Sequence, residues 1–156
     1  MNLTLLLLFL HITVMFAAIT VAFGTGLLGR IAFMTGQVAV VRGVGIASAR
    51  LGPLIPILFI TGGLLGLLTA FSFGFDLLKP WLVIAYVLFA IAMYIGIAEN
   101  RTWGVKLGQL LATTPDGPLT PELSAMFTDR RVVLVTAIDY IVVAALIFDM
   151  VVKPFS

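Results

Sequence analysis

The chain reads as long apolar runs separated by short polar breaks. Four runs stand out, at roughly 3–23, 51–73, 81–98 and 121–152. Each supplies about 20 residues of mostly apolar helix, the length that crosses a bilayer. The pattern predicts an all-α fold, a bundle of four transmembrane helices forming one membrane domain over 1–156.

The breaks predict where the helices end. Gly24, Gly26 and Gly29 loosen the end of the first run, and Arg30 marks water. The semi-polar stretch 30–50 reads as a short helix lying against the bundle or the headgroups, with Arg42 turned to water. Pro53 and Pro56 sit in the first turns of the second helix, where a missing N–H costs least. Inside that helix Gly62, Gly63 and Gly66 let a neighbour approach closely, as small residues do in lipid. Phe71, Phe73, Phe75 and Trp81 surround Asp76 and Lys79 as an interfacial aromatic belt, and Pro80 starts the third helix.

Past Glu99 the third helix continues into water to about residue 112. Trp103, Leu107, Leu110 and Leu111 form one apolar stripe there, with Arg101, Lys106 and Gln109 opposite. The segment 114–118 is a turn. Thr120, Pro121 and Glu122 open the fourth helix as N-cap, first-turn proline and early acid. It runs amphipathically through Leu123, Met126 and Phe127 and enters lipid after Arg131.

Asp139 interrupts this last run near its middle. A central Asp costs about 3 kcal/mol on the insertion scale, and the thirteen Val, Leu, Ile and Phe residues of the run return roughly 4–8 kcal/mol. The helix therefore inserts, and its carboxyl group needs a partner, a cavity or a proton.

Basic residues set the orientation. The first-to-second and third-to-fourth connections carry Arg30, Arg42, Arg50, Arg101, Lys106, Arg130 and Arg131, whereas the other side has only Lys79 and Lys153. The positive-inside rule then makes both connections cytoplasmic and both termini non-cytoplasmic, with two helical hairpins. The N-terminal run lacks a charged leader and is too long for a signal peptide, so it reads as the first span. Composition agrees: 62% of residues are hydrophobic and 10% charged, with net charge +2 and no cysteine. Thiolate chemistry and disulfides are excluded, and no basic cluster suits nucleic acid.

Candidate chemistry is sparse. His11, the only histidine, and Asp139 fall at similar depth from opposite edges of the bilayer, about 12 and 13 Å by helical rise. Either they face one another, or each bonds a nearby Thr, Tyr or carbonyl; Thr136 and Tyr140 stand closest to Asp139. Met15 follows His11 at i+4 on the same face. His and Met are haem ligands, but two from one face cannot clamp opposite sides of a haem. Asp149 and Lys153 at i, i+4 read as a solvated ion pair. No metal-ligand spacing and no phosphate loop occurs, so no catalytic residue is assigned.

Leu10-His11, Gly52-Pro53, Arg130-Arg131 and the closing Met150-Val151-Val152-Lys153-Pro154 carry a family likeness. The chain resembles an uncharacterised bacterial family of predicted four-helix integral membrane proteins. That family is distantly similar to copper-resistance D-type membrane domains and to small haem-binding protoporphyrinogen oxidases. The resemblance implies a bacterial inner (plasma) membrane and aligns His11 with the first-helix histidine of those groups. Here Ala18, Ile19 and Thr20 stand where a Trp-x-Gly would follow it.

Three functions are compatible with these features. One is a non-catalytic helical scaffold or accessory subunit, in contact with lipid and with a membrane protein partner or a second copy. Another is a redox protein holding haem or quinone at His11. The third is proton or ion movement through His11 and Asp139.

Overall fold

The structure, a computed structural model, describes residues 2–154. Its helices are α1 (Leu3–Met34), α2 (Val38–Leu51), α3 (Leu54–Ser72), α4 (Pro80–Tyr94), α5 (Arg101–Thr113), α6 (Pro121–Thr128) and α7 (Arg130–Val152). A π-helical turn, Ile95–Asn100, joins α4 to α5 without a break. Among the described residues there is no strand, only an isolated antiparallel bridge between Gln37 and Pro118.

The helices form four rods of 32–35 residues: Leu3–Met34, Val38–Ser72, Pro80–Thr113 and Pro121–Val152. All four are long and apolar enough to cross a membrane, with mean hydropathy of 2.2–2.5 in their richest windows. A rod of this length is about 50 Å long, against roughly 30 Å of hydrocarbon. The excess gathers at one end and folds into a cap.

Three helix boundaries differ from the sequence reading. The first helix does not end near Phe23 but runs to Met34. A glycine weakens a helix interior by only about 1 kcal/mol, and here the added turns carry Ala32 and Phe33 into the cap core. The true stop is Thr35-Gly36, where Gly36 takes φ +70° and the N–H groups of both residues return to the last turn. At the α2–α3 junction Gly52 and Pro53 keep helical angles. Pro56 lacks the donor that would reach the Gly52 carbonyl, and the Ile55 N–H takes it instead at 3.2 Å. The fourth rod is broken at Asp129, whose extended backbone ends α6 and whose carboxylate accepts from the Arg131 N–H at 2.6 Å. An aspartate that caps a new helix is hard to tell by pattern from a charged residue inside one continuous helix.

Within the apolar rods α1 packs on α3, and α4 on α7. The cap comprises the end of α1 with α2, α5 and α6. Its core is Val38, Val41, Leu107, Leu111, Leu123 and Phe127, with Leu123 and Val38 fully buried. The α5 stripe faces this core: Leu107 and Leu111 are buried, and Trp103 packs edge-on to Phe127. Backbone bonds from Val38 to Gly117 and from Leu119 to Gly36, each 2.9 Å, close the cap.

Arg42 is not free in water: its side chain is 30% exposed and tied to the end of α5. Its Nε donates to the Leu111 carbonyl at 3.1 Å, and its two terminal nitrogens reach the Thr114 carbonyl and the Asp116 carboxylate. The carbonyls at the end of α5 have no helical partner, and a planar fork of donors satisfies them where a solvated side chain would not.

Candidate functional site

The three glycines of α3 form a cradle. A Cβ at Gly66 would lie 2.7 Å from His11 Cε1 and 2.9 Å from its Nδ1. A Cβ at Gly62 would lie 2.5 Å from the Met15 sulfur, and one at Gly63 would lie 3.0 Å from the Phe89 ring. The small residues thus admit side chains from α1 and α4, so their close packing lies within this one chain.

The cradle also fixes the histidine. His11 Nδ1 lies 2.7 Å from the Gly62 carbonyl oxygen. A carbonyl only accepts, so Nδ1 carries the proton in the neutral ring. Nε2 is then left as a lone pair with no hydrogen-bond partner among the described residues. Backbone-anchored imidazoles of this kind present Nε2 in one orientation.

His11 lines a cavity of about 810 Å³ between the four rods. Met15, Phe59, Phe89, Trp81 and Tyr86 share its wall with aliphatic residues of α3 and α7, and Lys153 stands on it as well. All these residues come from the halves of the rods away from the cap. Cavities of 300–1,000 Å³ with apolar walls and few polar groups are the usual form of a small-molecule site.

Asp139 is elsewhere. Its side chain lies beside Asn100, at the end of the π-helical turn, and not beside His11. The same turn carries Glu99, whose two carboxylate oxygens receive Arg131 at 2.9 and 3.0 Å. Tyr140 stacks on Phe23 with ring centroids 4.6 Å apart. No hydrogen bond links Thr136 or Tyr140 to Asp139 among the described residues. Of the polar residues singled out by sequence, the structure brings His11 and Met15 to the cavity and leaves Asp139, Thr136 and Tyr140 off its wall.

Asp149 and Lys153 do not form the expected ion pair. Asp149 is 2% exposed, and neither carboxylate oxygen has a hydrogen-bond partner among the described residues. Lys153 adopts a left-handed backbone, φ 49°. Its ammonium lies 5.2 Å from the Phe75 ring centre and 5.4 Å from that of Trp81. The helix ends at this residue, so the side chain departs from the i, i+4 geometry that the pairing assumed. The aromatics read as an interfacial belt are in fact organised: Phe73 stacks on Phe75, and Phe75 meets Trp81 edge-on. Both features were out of reach of periodicity, which assigns neither a helix end to within one residue nor a buried charge.

Comparison with known protein families, characterised proteins and solved structures returns no match to this chain.

Proposed function

We propose that this is an integral membrane protein that crosses the bilayer four times, as two hairpins, and holds a membrane-dissolved small molecule between its spans. The cap carries Arg30, Arg42, Arg50, Arg101 and Lys106, and Arg130 and Arg131 open α7 beside it, so this end faces the cytoplasm and both termini face away. The sparse charge and the resemblance to bacterial membrane proteins fit an inner (plasma) membrane. The cavity then lies in the outer half of the bilayer and fills from lipid.

The observation that carries this reading is His11 Nε2, oriented by the main-chain bond of Nδ1 and without a partner among the described residues, on the wall of an apolar cavity of about 810 Å³. A scaffold or accessory subunit, which the poverty of polar chemistry favours, gives that arrangement no role. A lone pair at this depth selects a ligand with an N–H or O–H to donate. An oxidised quinone has none. A haem iron would find a single nitrogen, because Met15 is packed into the α3 cradle and shares a helix face with His11. Conduction through His11 and Asp139 loses its motive when the two turn to different neighbours.

Native mass spectrometry and an absorption spectrum on protein released gently from membranes test the reading. A small molecule co-purifies with the protein, and His11→Ala lowers its occupancy roughly tenfold, the worth of one buried hydrogen bond to a fixed acceptor. Protein that arrives empty and takes up no apolar probe overturns it.

A further inference from the structure

The end of the cavity away from the cap gathers groups that attract positive charge. Phe75 and Trp81 offer ring faces, and an ammonium, that of Lys153, already rests on both. Electron-rich faces of this kind are how proteins receive alkylammonium groups. Deeper in the wall, His11 Nε2 is a lone pair, and the Thr69 hydroxyl has given its proton to the Leu65 carbonyl at 2.7 Å. One helical turn before Lys153, next to the wall residue Met150 but not itself on the wall, stands Asp149, 2% exposed and with both oxygens unpartnered among the described residues. A buried carboxylate with no hydrogen bond is rare and costly, and calls for an explanation. The cation nearest to it in the chain has been drawn onto the rings instead.

We propose that the ligand of this cavity is an amphiphilic amine in its ammonium form, and that Lys153 is a tethered occupant of its head-group site. The inference rests on the cavity being a ligand site and names the chemistry of what enters. The apolar tail lies along the wall between α1 and α3. The cationic head displaces the lysine ammonium from Phe75 and Trp81 and brings a positive charge into the neighbourhood of Asp149. Lys153, at the end of α7, swings out to the lipid headgroups, as lysines at helix ends do. An anionic head is disfavoured: it would have one exposed lysine to meet, with ring faces and a buried acid repelling it.

Three probes with one tail separate the possibilities: dodecylammonium, dodecanol and dodecyl phosphate. Each is titrated into the full chain in lipid nanodiscs, reading tryptophan fluorescence, with Trp81→Phe showing which part of the signal belongs to the cavity. The ammonium probe binds tightest and the phosphate weakest. Lys153→Gln vacates the rings and raises affinity for the ammonium about threefold to tenfold. Asp149→Asn lowers it roughly tenfold or more and leaves dodecanol unchanged. If Asp149→Asn fails to fold, the Lys153→Gln arm decides alone. A preference for the phosphate that Lys153→Gln abolishes overturns the inference and makes the lysine an anion anchor. Equal affinity for all three probes, indifferent to Asp149 and Lys153, overturns the inference while the cavity reading stands. No response to any probe removes both.

Discussion

The cap and the apolar half of the rods are built from the same helices under different rules. In the cap, α2 and α5 are two-faced, and the apolar face is the buried one: Val38, Val41, Leu107 and Leu111 point inward. In the other half the apolar residues point everywhere. Phe16, Leu64, Phe71, Ile141 and Val151 are each more than half exposed. Hydrophobicity sorts inside from outside only where apolar and polar faces differ; between helices that are apolar all round it sorts nothing. What fixes the packing there is size and hydrogen bonding, through three glycines and one histidine bonded to a carbonyl. The cap closes on itself, whereas the other half leaves a space of about 810 Å³.

The contrast can be broken most forcefully in the cap. Leu123 is fully buried, so Leu123→Ala costs about 2–5 kcal/mol. Amide exchange rises across α2, α5 and α6 while α3 stays protected. Leu64→Ala, at a residue 58% exposed, leaves the melting curve in nanodiscs unmoved. Equal losses from the two substitutions would show that the apolar half is packed as the cap is.

A smaller effect is expected at Arg42. Lysine cannot reach the Leu111 and Thr114 carbonyls and Asp116 together. Arg42→Lys therefore destabilises the cap by about 1–3 kcal/mol, read as faster exchange at 114–118, and the retained charge gives no rescue. The smallest change in stability comes from a pair of glycines. Gly66→Ala costs about 1 kcal/mol, because the new Cβ pushes His11 aside, breaks the His11–Gly62 bond and shifts the imidazole resonances in NMR. Gly29→Ala meets nothing within 4 Å and gains up to about 1 kcal/mol of helix propensity, with the imidazole undisturbed.

Legibility in the sequence followed the same divide. The stripe Trp103, Leu107, Leu110, Leu111 and the N-cap Thr120 could be read because water imposes a period and a capping chemistry. Four runs of membrane-spanning length and composition could be counted. Which side of each run meets its neighbours could not be read, since a helix that is apolar all round carries no directional signal. The glycines of α3 were visible as a place of close approach, but not the identity of what approaches. Arg42 and Asp149 misled for one reason: charged residues were expected free in water, whereas the folded chain ties the first to the end of α5 and buries the second.

The π-helical turn at Ile95–Asn100 sets the bearing of one half against the other. Such a turn behaves as one residue inserted into a regular helix, and one residue is about 100° of rotation. It therefore acts as a phase shifter on the third rod. Upstream of it Trp81, Leu82 and Ala85 are aimed by the neighbours they meet in the apolar layer; downstream, Leu107 and Leu111 are aimed at the cap. Regularising the turn to α-helix with every residue kept would swing the α5 stripe off its core by about a quarter turn, whereas deleting one residue along with the turn would leave the stripe in place.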